Sequence, residues 1–193
     1  GFAGMGWRRV FWSLLAGVEA TDHELAEAAR AANDEGQYRE AYELATAPSN
    51  SPVSVLRQIE ELRAMAKTGQ DIDAMADLVR LSSFVVSDAE AESLSIFWVT
   101  ILPKYFENKN VLKEAVKALE RMQEQSSKDT RGDVSQRLSL VRFVQACRNG
   151  SVPSEELKTV LADSQPIEVV FSALMFGLDH LILDIDDPEV GAA

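Results

Sequence analysis

Along this chain apolar residues recur three and four apart, the spacing that places them on one face of a helix, and the runs are broken at intervals by short polar turns. Between Leu25 and Ala47 the pattern predicts two short amphipathic helices meeting at Asn33-Asp34-Glu35-Gly36, with alanines where they cross. Thr21 and Glu24 have the capping-box form, so the first of these helices starts at about Asp22. Tyr38, Ala41, Tyr42, Leu44 and Ala45 supply the return helix, which Pro48 and Pro52 end because neither offers the amide a longer helix requires. Before this pair, residues 5–18 predict a helix with Trp7, Phe11, Leu14, Leu15 and Val18 on one face, widened by Val10 and Trp12. A second pair runs from Val53 to about Phe84 through the turn Lys67-Thr68-Gly69, with Leu56, Ile59 and Leu62 outbound and Ile72, Met75, Leu78 and Val79 returning.

The later part of the chain repeats this grammar. Ser87 and Glu90 form another capping box, opening a helix through Leu94, Phe97, Trp98 and Ile101, and Pro103 marks either a kink or its end. A helix over 111–125 follows, with Leu112, Ala115, Val116, Leu119 and Met122 on one face. The polar segment 126–133 (SSKDTRGD) predicts a mobile loop. Leu138, Val141, Phe143 or Val144 and Cys147 predict a further helix, stopped by Asn149-Gly150, and Pro153 opens a short one. The last helix, 167–185, is apolar nearly all round, which fits either the middle of a bundle or a subunit contact.

These elements predict an all-α fold of nine or ten helices in consecutive antiparallel hairpins, forming a short solenoid or bundle with an extra helix at each end. The expected organisation is one domain over 1–193: an N-terminal amphipathic helix at 5–18, about four hairpins over 22–163, an apolar helix at 166–185 and a tail at 186–193. Ala41, Ala74 and Ala115 are expected at helix crossings. Gly36-Gln37-Tyr38-Arg39-Glu40-Ala41 is echoed by Gly69-Gln70-Asp71-Ile72-Asp73-Ala74, 33 positions later, the periodicity of stacked helical hairpins.

On these residues the stretch 25–53 resembles a tetratricopeptide repeat: the turn glycine Gly36, the aromatic Tyr38, the Glu40-Ala41 pair and a closing proline stand near where that family has them. Ala28, Ala29 and Ala32 depart from it, where the family prefers a large residue, a glycine and an aromatic, and Pro52 arrives about one residue early. The resemblance implies a helical-hairpin scaffold that binds peptides or proteins. The segment Leu178 to Ile185 is faintly similar to the closing helix of MA3 domains, also helical protein binders.

Composition narrows the function classes. Of 193 residues 46% are hydrophobic, enough for a sizeable core, and 31 acids against 19 bases leave a formal net charge of −12. That charge opposes nucleic acid and anionic lipid. Residues 21–47 carry seven acids and two bases, and residues 151–193 nine acids and one base. The chain opens Gly1-Phe2-Ala3-Gly4-Met5, the form of a fragment boundary or tag scar. The most apolar stretch, Val169 to Ile185, is interrupted by Asp179, His180 and Asp184, against a membrane span. A cytoplasmic location is the expectation, with the compartment itself unread. The single cysteine, Cys147, predicts a buried, inert thiol.

Candidate chemistry is sparse. Glu19, His23 and Glu27 have the four-residue spacing of a helical metal site, but a helix beginning after Thr21 leaves Glu19 off that face. His180 beside Asp179 and near Asp184 has the form of an oriented base, set against its more ordinary role as a core or interface histidine. Arg131-Gly132-Asp133 spells an adhesion tripeptide that common polar residues also produce by chance. No phosphate loop, nucleophile elbow or paired-cysteine motif is present, so no catalytic residue, metal ligand or cofactor is assigned.

The expectation is a protein-interaction scaffold, adaptor or chaperone-like binder that takes a basic or amphipathic protein segment in a groove along the first helices of its hairpins. No nucleic acid is expected. Trp7, Phe11 and Trp12 are the candidate partner contacts, since such aromatics are enriched at interface hot spots. Homo-oligomerisation through the C-terminal helix is a further expectation. The alternatives are a helical enzyme using Asp179, His180 and Asp184, and a membrane-surface subunit held by the N-terminal helix, where Arg8 and Arg9 accompany two tryptophans.

Overall fold

The computed structural model describes residues 6–85, 87–151, 156, 160 and 166–181. All regular structure among them is helical: α1 (Gly6–Leu15), α2 (Asp22–Asp34), α3 (Tyr38–Thr46), α4 (Val55–Lys67), α5 (Asp71–Leu81), α6 (Asp88–Ile101), α7 (Lys109–Gln125), α8 (Lys128–Arg148) and α9 (Ile167–Leu181). The expected all-α class is what the chain adopts. The short helix at Pro153 and the segment 182–193 lie outside the described residues.

Local chemistry sets the helix ends. Both expected capping boxes form, with Thr21 and Ser87 accepting from the backbone of Glu24 and Glu90 while those carboxylates reach back. Gly17, Gly36 and Gly150 take φ of 78°, 75° and 73°. Each closes a helix with paired backbone bonds, as in Val18 N–H to Ser13 O and Gly17 N–H to Leu14 O, both 2.9 Å, the Schellman arrangement that satisfies orphan carbonyls. This corrects the first helix, which stops at Leu15 rather than Val18.

Of two further expectations, the helix end at Pro103 is the alternative the chain takes, and the polar loop is shortened. The helix containing Trp98 ends at Ile101, and Leu102–Tyr105 tighten into a 3-10 turn that accommodates Pro103. The loop expected over 126–133 is reduced to Ser126 and Ser127, because α8 begins at Lys128 and runs through Gly132. A glycine costs a helix about 1 kcal/mol; burial of Val134, Leu138 and Val141 just beyond it offsets that. Asp88 secures the break by accepting the Ser127 N–H at 2.9 Å, and these Ser127 contacts hold its carboxyl below the usual carboxylate range.

Backbone proximity groups the chain into two compact units, Gly1–Val85 and Val86–Ala193. In the first, α2 packs on α1, α3 and α4, α3 packs on α4, and α4 packs on α5. Its core joins Trp7, Leu25, Ala28, Ala29, Ala32, Ala41, Leu44, Ala45 and Ala64. So many alanines let the helices approach closely but bury little apolar surface each. Polar clamps supplement them. Arg57 of α4 is buried; its Nε donates to Ala45 O at 2.7 Å, Nη2 to Ala47 O, and Nη1 to Ser49 Oγ at 3.1 Å and Asp22 Oδ1 at 3.4 Å. It therefore caps the end of α3 and pins the start of α2. Nearby, Asn33 Nδ2 donates to both the backbone and the carboxylate of Glu60, and Arg63 bridges Glu60 and Asp34 at 2.8 Å each.

In the second unit α8 is central, packing against α6, α7 and α9. Its buried residues, Val134, Arg137, Leu138, Leu140, Val141, Phe143, Val144 and Cys147, lie around much of its circumference, as a helix surrounded on several sides requires. This corrects the alternative that put the last helix in the middle. Ala41, Ala74 and Ala115 are fully buried, as expected of crossings.

Candidate interaction surface

The three aromatics singled out in the N-terminal helix separate on folding. Trp7 is 5% exposed and belongs to the core of the first unit. Phe11 is half-buried against that core and meets Trp7 edge-on at 6.3 Å between ring centroids. Trp12 is 65% exposed and meets Phe11 edge-on at 6.1 Å. Arg8 lies 4.5 Å over the Trp7 ring and pairs with Glu35 at 3.0 Å, covering Trp7 from outside. Trp7 is thus enclosed, and Trp12 stands in solvent.

Helical geometry explains the division. Trp7, Val10, Phe11 and Leu14 share the side that packs on α2, whereas at 100° per residue Trp12 and Leu15 turn away from it. Leu15, expected inward, is exposed with Trp12, and Val18 beyond the Gly17 turn joins them.

On α9 the division is sharper. Val169, Ala173 and Gly177, four apart, form a buried small-residue stripe. A β-carbon on Gly177 would stand only 3.1 Å from Phe143 Cζ and 3.2 Å from Cys147 Sγ, so glycine is what permits the close approach of α9 to α8. The opposite side holds Ile167 (81% exposed), Phe171 (65%), Met175 and Leu178 in solvent. Glu168 and Asp179 border this stripe on one side, both exposed. The sequence showed only a helix apolar all round; the signal that locates the packed side is the spacing of its smallest residues.

His180, the centre of the catalytic alternative, has partners within α9 and beyond it. His180 is engaged at both ring nitrogens, Nδ1 with Phe176 O and Nε2 with Glu107 Oε1, each at 2.9 Å. Its ring also stacks on Phe176 of the same helix at 3.9 Å, and Phe176 meets Phe106 at 5.2 Å between ring centroids, which with the Glu107 contact ties α9 to the segment after α6. Asp184, its other expected neighbour, lies outside the described residues. Glu19 precedes the Thr21 cap, off the helix that carries His23 and Glu27, and no cluster of three metal-ligating side chains occurs among the described residues. The Arg131-Gly132-Asp133 tripeptide is helical, within α8. Cys147 is buried, and burial pushes its thiol up to about 11.

No helix among the described residues is long and apolar enough to cross a membrane. Comparison with protein-family models, curated proteins and solved structures finds no match to this chain. Fold and surface together define an all-α protein with two exposed apolar helix faces.

Proposed function

We propose that this chain is a protein-interaction module that recognises an amphipathic protein segment on helix faces it keeps exposed. One observation carries the reading. Eleven large hydrophobic side chains are exposed among the described residues, and seven of them, Trp12, Leu15, Val18, Ile167, Phe171, Met175 and Leu178, fall in just two places. Scattered exposed apolar residues are ordinary, but contiguous ones mark contact sites. The exposed residues of α2, by contrast, include Glu24, Glu27, Arg30 and Asp34. That helix therefore has little apolar contact to offer, and the faces of α1 and α9 support the reading better.

The test measures binding of the full chain to a panel of helical peptides, basic, neutral and acidic, each with one apolar stripe, by fluorescence anisotropy. Binding at micromolar concentration by at least one peptide is expected. Trp12→Ala with Leu15→Ala should weaken binding to the α1 face at least tenfold while leaving the melting temperature unchanged, since both residues are exposed. If no peptide binds below about 1 mM, where contact energy falls to about 4 kcal/mol, the reading is refuted.

A further inference from the structure

The two exposed faces differ in what borders them, and the difference selects an occupant. Helix α1 contains Arg8 and Arg9 and no acid, and α9 contains Glu168 and Asp179 and no lysine or arginine. No lysine or arginine occurs anywhere from residue 159 to the end of the chain. The histidine of α9, His180, faces Glu107. Three pairings of these faces are conceivable between copies. Arg8 is engaged with Glu35, so Arg9 is the cation α1 offers. Pairing α9 with α9 sets Glu168 and Asp179 against themselves, and pairing α1 with α1 does the same for Arg9. Only α1 against α9 joins apolar to apolar and opposite charge to opposite charge.

Resting on the interaction-module reading, we propose that the outer face of α9 takes the outer face of α1 from a second copy of this chain. Trp12 and Leu15 lie along Phe171, Met175 and Leu178, and Arg9 approaches the acidic border at Glu168 or Asp179. Such a contact joins different surfaces of the two copies, so it either closes into a reciprocal pair or continues head to tail. A single pair of short helices buries less than the about 1,200 Å² typical of a stable interface, so association is reversible and concentration-dependent.

Sedimentation velocity of the intact chain, from about 1 to about 300 µM, should show self-association in the weak range such a small contact allows. Trp12→Glu and Phe171→Glu should each weaken it at least tenfold. Both side chains are exposed, and circular dichroism with thermal melting checks that the fold is kept. The deciding measurement mixes the two variants. One retains an intact α9 and the other an intact α1, so the mixture should form a one-to-one dimer that neither forms alone. Arg9→Glu should weaken the intact contact several-fold, and Glu168→Lys or Asp179→Lys should restore part of the loss. An intact chain that stays monomeric overturns the proposal. So does a Trp12→Glu chain that associates normally while Phe171→Glu does not, which assigns α9 to its own kind, or a mixture that remains monomeric. Peptide binding by a monomeric chain leaves the interaction-module reading standing while this pairing fails.

Discussion

Arg57→Ala removes the connection between three helices of the first unit, and its cost follows from what is left behind. Arg57 is 1% exposed and holds Ala45 O and Ala47 O at the end of α3, Ser49 Oγ in the following turn and Asp22 Oδ1 at the start of α2. Truncation orphans two carbonyls that α3 cannot satisfy itself and leaves Asp22, largely shielded, without its cation. Each bond from a charged donor is worth about 1.5–3 kcal/mol, yet they share one guanidinium and do not add. Breaking a buried pair from one side costs about 3–5 kcal/mol, and that is the loss expected here. With a urea slope of about 1–3 kcal/mol per molar, the midpoint should fall by roughly 2 M. Arg57→Lys should recover less than half, because an ammonium cannot reach carbonyls and carboxylate from one planar fork. Urea titration followed by far-ultraviolet circular dichroism measures both. A loss below about 1 kcal/mol for Arg57→Ala would show that water satisfies these groups equally well and that the clamp contributes nothing net.

Other consequences can be checked in the same way. Burial raises the Glu60 carboxyl above its ordinary range, against the pull of Arg63 and Asn33; its contribution is therefore fully present below about 4.5 and lost as pH rises through the folded value. Glu60→Gln should match the parent at pH 4 and gain on it towards pH 7 in denaturant titrations, and a constant difference across that range refutes the assignment. Arg137 is buried with Nη1 on Ser95 Oγ at 2.8 Å and no partner for Nε, so Arg137→Met should be neutral or stabilise by up to about 1–4 kcal/mol; a marked loss of stability contradicts this. Ala41→Leu and Ala74→Leu should each cost about 1–3 kcal/mol by overpacking closed crossings, and an unchanged melting temperature would remove them from the crossings. Cys147 should react with a thiol reagent at pH 8 only as the second unit unfolds, and rapid stoichiometric labelling of the native chain would contradict its burial.

What the sequence determined is what depends on near neighbours. Thr21 with Glu24, Ser87 with Glu90 and the glycines at 17, 36 and 150 act within six residues, so the helix ends they produce follow from local hydrogen bonding. The buried alanines at 41, 74 and 115 were legible because a small residue on an apolar face has few uses other than a crossing. The tertiary structure decided the rest. Polar segment 128–133 became helix because residues beyond it had a core to bury against. Arg57 and Arg137 went inside, where sequence places arginine outside, since their partners lie 8 to 42 positions away. Trp7 and Trp12 are alike in sequence, but one is core and the other surface, because only the position of α2 distinguishes the two sides of α1. On α9 periodicity saw a helix apolar all round; the approach of α8 to Gly177 chose which side is buried and so which side is left in solvent.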